Sequence, residues 1–372
     1  MTNEGKKERI IFIDVLRGYA ILMMLQGHTI GVVLRDELQD NRYPAHLVWW
    51  YLKGLTAPAF FCAAGLIFAY LLARAEEVGG ARLGKGLRRG LWLLVLGWVL
   101  QIYPSILEDA LKGEIVASLR FLGKSHVLHT IGWSLILMVA LWLLCRRQGR
   151  RFAVVSLLVG QLALLLGPWT EKWRPEEGPG RWLATFVARD YAAFPLFPWT
   201  GYALTGASLG VLAWELKWYR DGRAFLVLAG VGALLMVSSG PITGGFWFLM
   251  GGLPEGLGLG EVAGRYWRLG EVVVLMGLVG GLCWLVTRRG KEESWPVRIL
   301  TTCGQETLTI YFLHVIVVYS AIFGFGLSTT CRRAFGVGGS LLVAFLVELC
   351  FIILALNLSR LRKKVPLLGL LR

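Results

Sequence analysis

Several features of common soluble enzymes are missing from this sequence of 372 residues. Its six cysteines show no CxxC spacing, so the sequence indicates neither a zinc site nor a disulfide framework. No P-loop and no glycine-rich dinucleotide motif after a strand occur, which argues against the usual nucleotide-binding folds. Acidic residues are scarce, with 24 Asp and Glu against 39 Lys and Arg. Nucleic-acid binding does not follow from this charge, because no separate basic domain could carry it.

Apolar residues are in excess and are grouped into blocks. Hydrophobic residues make up 56% of the chain and the mean hydropathy is +0.60, whereas a soluble domain is about 45–50% apolar. The blocks are about 17–25 residues long, enough to cross a hydrocarbon core of roughly 30 Å. The sequence therefore predicts an all-α polytopic membrane protein. The first block is not a cleaved signal peptide, since Asp14 and Arg17 interrupt it and no small-residue cleavage site follows.

We predict ten transmembrane helices in one bundle, which form a single domain over residues 1–372. The predicted spans are 10–34, 46–73, 90–106, 127–145, 152–169, 192–214, 224–240, 266–287, 299–325 and 338–358. Alternate connections and both ends of the chain are rich in Lys and Arg, so the positive-inside rule places both termini in the cytoplasm. Segments 1–9 and 359–372 are then cytoplasmic basic tails.

The first span carries charged and titratable residues in the stretch IDVLRGYAILMMLQGHT. A charge at the bilayer centre costs roughly 2.5–3.5 kcal/mol, so such residues need a partner or a function. Arg17 and His28 are eleven residues apart, which puts them within about 20° of one helix face and roughly 16 Å apart along its axis. We expect Asp14 to pair with Arg17. We expect His28 to be functional, on a polar path that begins at Arg17.

The chain has five histidines, and the predicted topology places four of them in the outer half of the membrane. His46 precedes the second span, His126 and His129 begin the fourth, and His314 lies within the ninth. Taken singly, each is best explained as a hydrogen-bonded structural residue. Their convergence near one depth makes a functional role for at least two of them an equally good interpretation, since imidazole is an acid or base near neutral pH.

The ninth predicted span carries a second polar stripe. Thr307, Tyr311 and His314 follow an i, i+4, i+7 pattern, and Gln305 is paired with Thr309 in the same way. Hydrogen bonds between helices explain the threonines. For Gln305 and His314 a structural and a functional role are both open.

A basic stretch, ARLGKGLRRG, precedes the third span and contains Lys85, Arg88 and Arg89. The positive-inside rule explains this charge without a ligand, and composition alone favours that interpretation. A phosphate-bearing ligand is the functional alternative, because Lys and Arg beside glycine-rich backbone suit phosphates.

Six segments, taken in order, resemble the heparan-α-glucosaminide N-acetyltransferase family in its compact prokaryotic form. They are IDVLRGYAILMMLQGHT, LKGLTAPAFFCAAGLIFAYLL, LGKGLRRGLWLLVLGW, HVLHTIGWSLIL, FPLFPWTGYALTGASLG and GQETLTIYFLHVIVV. The resemblance runs from about residue 9 to residue 320 and covers nine of the ten predicted spans. The spacing of Arg17 and His28 is also similar to that of the acyltransferase-three family of membrane O-acyltransferases.

The resemblance implies an enzyme that takes acetyl-CoA from the cytoplasm and threads its pantetheine arm through the bundle. The acetyl group would then reach an amine or hydroxyl of an extracytoplasmic sugar or glycan. A prokaryotic inner membrane, contact with membrane lipid and a homodimer are also implied. N- and O-acetylation stay open, and so do direct transfer and a transient acetyl-histidine.

The residue pattern and the resemblance together indicate site residues. We expect His28 and His46 to be catalytic, one as general base and the other orienting the acceptor or polarising the thioester carbonyl. Four cations are expected to bind acetyl-CoA: Arg17, Lys85, Arg88 and Arg89. Four further residues are expected to support the site: Asp14, His129, Gln305 and His314. No metal ion is expected.

A transporter or channel for a small acidic or sugar-like solute is the alternative function. It would use Arg17 and the histidines as a binding path and proton relay. It predicts solute flux without chemistry and needs no nucleotide site. A purely structural membrane protein explains the cluster of histidines least well.

Overall fold

The computed structural model of the protein describes residues 10–77, 82–114, 125–175, 179–190, 192–291 and 293–371. Within these ranges the chain is helical, and its only β pairings are two isolated bridges. We number the helices in chain order: α1 Ile11–Val33, α2 Pro44–Lys53, α3 Thr56–Glu77, α4 Arg82–Val99, α5 Pro104–Leu111, α6 Val127–Leu144, α7 Gly149–Glu171, α8 Pro179–Val187, α9 Leu196–Leu216, α10 Gly222–Val237, α11 Ser239–Leu249, α12 Leu259–Arg288, α13 Trp295–Gln305, α14 Thr307–Tyr319, α15 Leu327–Thr330 and α16 Val337–Lys364.

Five stretches of the described chain are long and apolar enough to cross a membrane. They are Pro44–Ala75, Val127–Leu144, Gly149–Glu171, Leu259–Arg288 and Val337–Lys364. The pair α10 and α11, bent by 54°, adds a sixth if it counts as one span. Every predicted span overlaps at least one helix. The predicted all-helical membrane fold is confirmed at this level, while the count of ten and the orientation stay predictions.

Helix α1 lies at the centre of the bundle, in contact with α3, α12, α13, α14 and α16. Two glycines bring its backbone against α13. A Cβ atom on Gly18 would lie 2.0 Å from the carbonyl oxygen of Leu300, and one on Gly304 would lie 1.8 Å from that of Asp14. Small residues permit such close packing between helices in lipid. The polar residues of α1 are therefore held inside the bundle.

Several predicted spans are divided between two helices. The span predicted over 46–73 breaks between Lys53 and Thr56, and the span over 299–325 breaks at Glu306. Glu306 accepts two hydrogen bonds, of 2.7 and 2.6 Å, from the guanidinium of Arg362 on α16. Both breaks lie within stretches that are apolar over most of their length, which is why the sequence predicts unbroken helices.

One irregular stretch leads into α9, and a glycine-rich stretch follows residue 238. Pro195 precedes α9, and Phe197 within it has non-helical backbone angles, as expected where prolines remove backbone donors. The glycine-rich stretch after residue 238 begins as helix α11, which packs against α12.

Candidate active site

A cavity of about 580 Å³ lies inside the bundle, between a group of arginines and a group of histidines and tyrosines. The arginine end is lined by Arg17, Arg82 and Arg89. The histidine end is lined by His28, His126, Tyr103, Tyr311 and Tyr319. Since Arg17 and His28 are both on α1, the two ends are separated by roughly 16 Å at a rise of 1.5 Å per residue.

The arginine end brings two cations from different helices together. Arg17 donates a 2.6 Å hydrogen bond from Nη2 to Oγ1 of Thr307 on α14. Arg89, on α4, is close enough to Arg17 for the two charges to repel, and Asp14 is close enough to stabilise the charge of Arg17. Paired guanidinium groups facing a largely apolar cavity are suited to bind an anion such as phosphate.

The basic stretch of α4 presents only part of its charge to the cavity. Arg82 and Arg89 are half-buried and line it, whereas Lys85 and Arg88 are exposed and do not. Positions 82 and 89 are seven residues apart, close to two helical turns, so they share a face. The predicted cations Lys85 and Arg88 therefore lie beside the arginine end, on its water-facing side.

Two histidines from different helices meet at the other end. His28 Nδ1 lies 3.0 Å from His314 Nε2, and the two rings stack with centroids 5.2 Å apart. His28 lines the cavity, while His314 lies behind it with none of its surface exposed. His314 thus orients the ring of His28, whose other nitrogen, Nε2, takes no part in this contact.

His126 completes this end and was not among the predicted site residues. It precedes the apolar helix that begins at Val127. The hydroxyl of Tyr311 lies 3.2 Å from its Nε2, a distance at which a phenol donates to an imidazole nitrogen. The signal that could have found it is its place beside His129 in the same motif.

The structure places His129 behind the site. Its Nδ1 accepts a 2.9 Å hydrogen bond from the backbone N–H of His126, and its ring packs against Trp98. Only 1% of its surface is exposed, and it does not line the cavity. This contact caps the first turn of α6.

Two other predicted residues lie outside the large cavity. His46, in the first turn of α2, lines a smaller cavity of about 330 Å³. Tyr319 lines both cavities, so the two meet at its ring. Gln305 is the exposed last residue of α13 and lines neither.

This arrangement can bind an anion at one end and move a proton at the other. The interior between the two ends is lined mostly by apolar side chains such as Ile67, Phe68, Leu93 and Leu135. A long, narrow ligand with an anionic head would fit such a passage. Its far end would meet His28, the phenol groups and the imidazole of His126.

Comparison with known families identifies the chain. The family model described as heparan-alpha-glucosaminide N-acetyltransferase, catalytic, matches residues 9–236, more than half of the sequence. No curated protein matches the chain. The matched segment contains Arg17, His28, Arg89 and His126, whereas His314 lies beyond it. With its apolar helices, the chain is an integral membrane protein that belongs to the heparan-α-glucosaminide N-acetyltransferase catalytic family, a family of acetyltransferases.

Proposed function

We propose that this protein moves an acetyl group from cytoplasmic acetyl-CoA across the membrane to an amine or hydroxyl of an extracytoplasmic sugar or glycan. The observation that carries the proposal is the single cavity that joins Arg17 and Arg89 to His28 and His126. Family membership favours group transfer over solute transport. The Lys and Arg bias of the loops supports an arginine end that faces the cytoplasm.

The arginine end would hold the nucleotide phosphates of acetyl-CoA. Arg82, Arg89 and Arg17 come from two helices and converge there. The apolar lining beyond them suits the pantetheine arm, which needs little hydrogen bonding along its length. Lys85 and Arg88, exposed on the same helix as Arg89, would attract the phosphates from water.

At the histidine end, His28 would be the general base. When His28 Nδ1–H donates to His314 Nε2, the Nε2 lone pair of His28 is free to take the proton of the acceptor. The acceptor nitrogen or oxygen then bonds to the thioester carbonyl carbon and the C–S bond breaks. His28 returns its proton to the departing CoA sulfur. The hydroxyls of Tyr103 and Tyr319 are candidate donors to the carbonyl oxygen.

A two-step route uses the same residues. His28 Nε2 would first attack the thioester, giving acetyl-His28 and free CoA, and the acceptor would then attack that acetyl group. In both routes His46 orients the acceptor from the smaller cavity. The mass of the protein after incubation with acetyl-CoA alone separates the routes, because only the second leaves an acetylated His28.

Acetyl-CoA binding to the purified protein, measured by calorimetry in detergent, tests the donor site. We expect Arg89→Ala to weaken binding about tenfold or more, because charge-assisted hydrogen bonds contribute roughly 1.5–3 kcal/mol each. Arg88→Ala is the matched control, since Arg88 is the exposed neighbour of Arg89 on α4 and should have a smaller effect. If acetyl-CoA does not bind, or if the two variants weaken its binding equally, the proposal is wrong. Solute flux through the protein is then the measurement to make.

A further inference from the structure

Lys53, the last residue of α2, lies in a groove on α1. A Cβ atom on Gly27 would lie 2.9 Å from Cδ of Lys53, and one on Gly31 would lie 3.5 Å from its Nζ. Glycine at these two positions, one helical turn apart, therefore makes room for the lysine. In this groove the ammonium group of Lys53 lies close enough to His28 for its charge to act on the imidazole.

This ammonium group has no counter-ion among the residues that the structure describes. The contact found for it there is with the ring of Trp49, whose centroid is 5.3 Å from Nζ. Trp49 is itself held by a 3.3 Å hydrogen bond from its indole N–H to Gln26 on α1. A half-buried cation loses part of its hydration, and an anion in contact with it would compensate that loss.

Lys53 lines the smaller cavity, together with His46, Trp49, Asn41 and Gln39. Its volume of about 330 Å³ is at the lower end of the range of about 300–1,000 Å³ for ligand pockets. Indole faces and side-chain amides are groups that bind the apolar faces and hydroxyls of a sugar. Tyr319 separates this cavity from His28, whose ring centroid is 5.3 Å from that of Tyr319.

Further cations lie next to this cavity. An adjoining cavity shares Gly31, Val32 and Tyr319 with it and is lined by Arg332 and Arg333. Arg333 forms a 2.8 Å ion pair with Asp36, while Arg332 is exposed. The donor phosphates have their own arginines at the opposite end of the large cavity, so an anion at Lys53 would belong to another ligand.

We propose that the smaller cavity binds the acceptor sugar and that Lys53 selects an acceptor carrying an acidic group. The carboxylate, phosphate or sulfate of the sugar contacts the ammonium, and the sugar ring lies against Trp49. Its amine or hydroxyl then passes Tyr319 to reach His28. The identity of this ligand as the acceptor rests on the proposed function.

Acetyl transfer to glucosamine 6-phosphate and to glucosamine tests the selection. In the wild-type protein we expect kcat/KM to be about tenfold or more higher for the phosphorylated sugar. Lys53→Met should reduce this ratio to about one, Lys53→Glu should invert it, and Lys53→Arg should keep it. Arg42→Met is the control, because Arg42 is exposed and paired with Asp40, and it should keep the wild-type ratio. A ratio that Lys53→Met and Lys53→Glu leave unchanged overturns the inference.

Binding of the same two sugars, measured without acetyl-CoA in detergent free of phospholipid, separates this inference from the proposed function. Preferential binding of glucosamine 6-phosphate that needs Lys53, without acetyl transfer, supports the acidic-sugar site and contradicts the acetyltransferase activity. Acetyl transfer whose ratio of kcat/KM values does not depend on Lys53 supports the acetyltransferase activity and contradicts the acidic-sugar site. If neither sugar binds, the inference is overturned. It is also overturned if anionic phospholipid abolishes the selectivity and neutral phospholipid does not, because a lipid headgroup then occupies Lys53.

Discussion

His28 and His314 contact each other through their imidazole rings, with Nδ1 of the first 3.0 Å from Nε2 of the second. The contact joins α1 to α14 at the histidine end of the large cavity. Only one hydrogen can lie between the two nitrogens, so one of the two rings donates it and the other accepts. A base oriented by a second, buried group is the arrangement that nucleophilic and general-base catalysis uses.

The first prediction concerns this pair. His28→Gln should reduce acetyl transfer at least a hundredfold, because a positioned general base contributes about 10²–10⁴ to the rate. His314→Gln should cause a smaller loss, since an amide can still accept a hydrogen bond from His28. Transfer rates and acetyl-CoA affinity should be measured together, and the affinity should be retained in both variants. Full activity of His28→Gln would show that the assignment of the base is wrong.

A second prediction separates His129 from the catalytic residues. His129→Gln should lower the thermal midpoint of the detergent-solubilised protein, because the imidazole caps α6 and packs on Trp98. The transfer rate of the folded fraction should stay within about threefold of the wild-type rate, a margin that general-base loss would exceed. A large loss of rate at unchanged stability would place His129 in the catalytic site instead.

A third prediction concerns the contact between α1 and α13. Gly18→Ala should destabilise the protein by more than the roughly 1–3 kcal/mol typical of overpacking, because the new Cβ meets backbone of Leu300 that cannot rotate away. Gly230→Ala is the control, since nothing lies within 4 Å of that position and Ala favours helix. The measurement is the thermal midpoint of each variant in one detergent. Equal midpoints would contradict the close packing of these helices.

A fourth prediction concerns Glu306 and Arg362, whose side chains are 17% and 15% exposed. Loss of one member leaves a largely buried charge, which costs about 3–5 kcal/mol in buried pairs. Glu306→Gln and Arg362→Gln should each lower the thermal midpoint strongly. The double variant should lose clearly less than the two single losses combined. Additive losses would show that the two residues act independently.

The fold was predictable from the sequence as far as hydrophobicity determines it. The apolar blocks correctly predicted an all-helical membrane protein, and every predicted span overlaps a helix of the structure. The breaks at Glu306 and after Lys53 were not predicted, because they lie within stretches that are apolar over most of their length. At Glu306 the side chain contacts Arg362, which is 56 residues away along the chain and which the local pattern does not indicate.

The candidate site was predictable where a rare residue type occurs in an apolar span. The helical spacing of Arg17 and His28 correctly indicated a shared face, and both line the large cavity. Lys53 and Tyr319 gave no such signal, since a lysine at a helix end and a tyrosine in a span are common. Their positions become informative only when the bundle brings them next to His28.

Vectorial transfer in sealed vesicles tests the central claim most directly. Purified protein is reconstituted with acetyl-CoA enclosed inside, and an acidic amino sugar such as glucosamine 6-phosphate is supplied only outside. We predict that the acetylated sugar accumulates outside while free CoA accumulates inside, and that His28→Gln abolishes both. Product that forms only when donor and acceptor are on the same side, or sugar that enters the vesicles unmodified, would contradict the account.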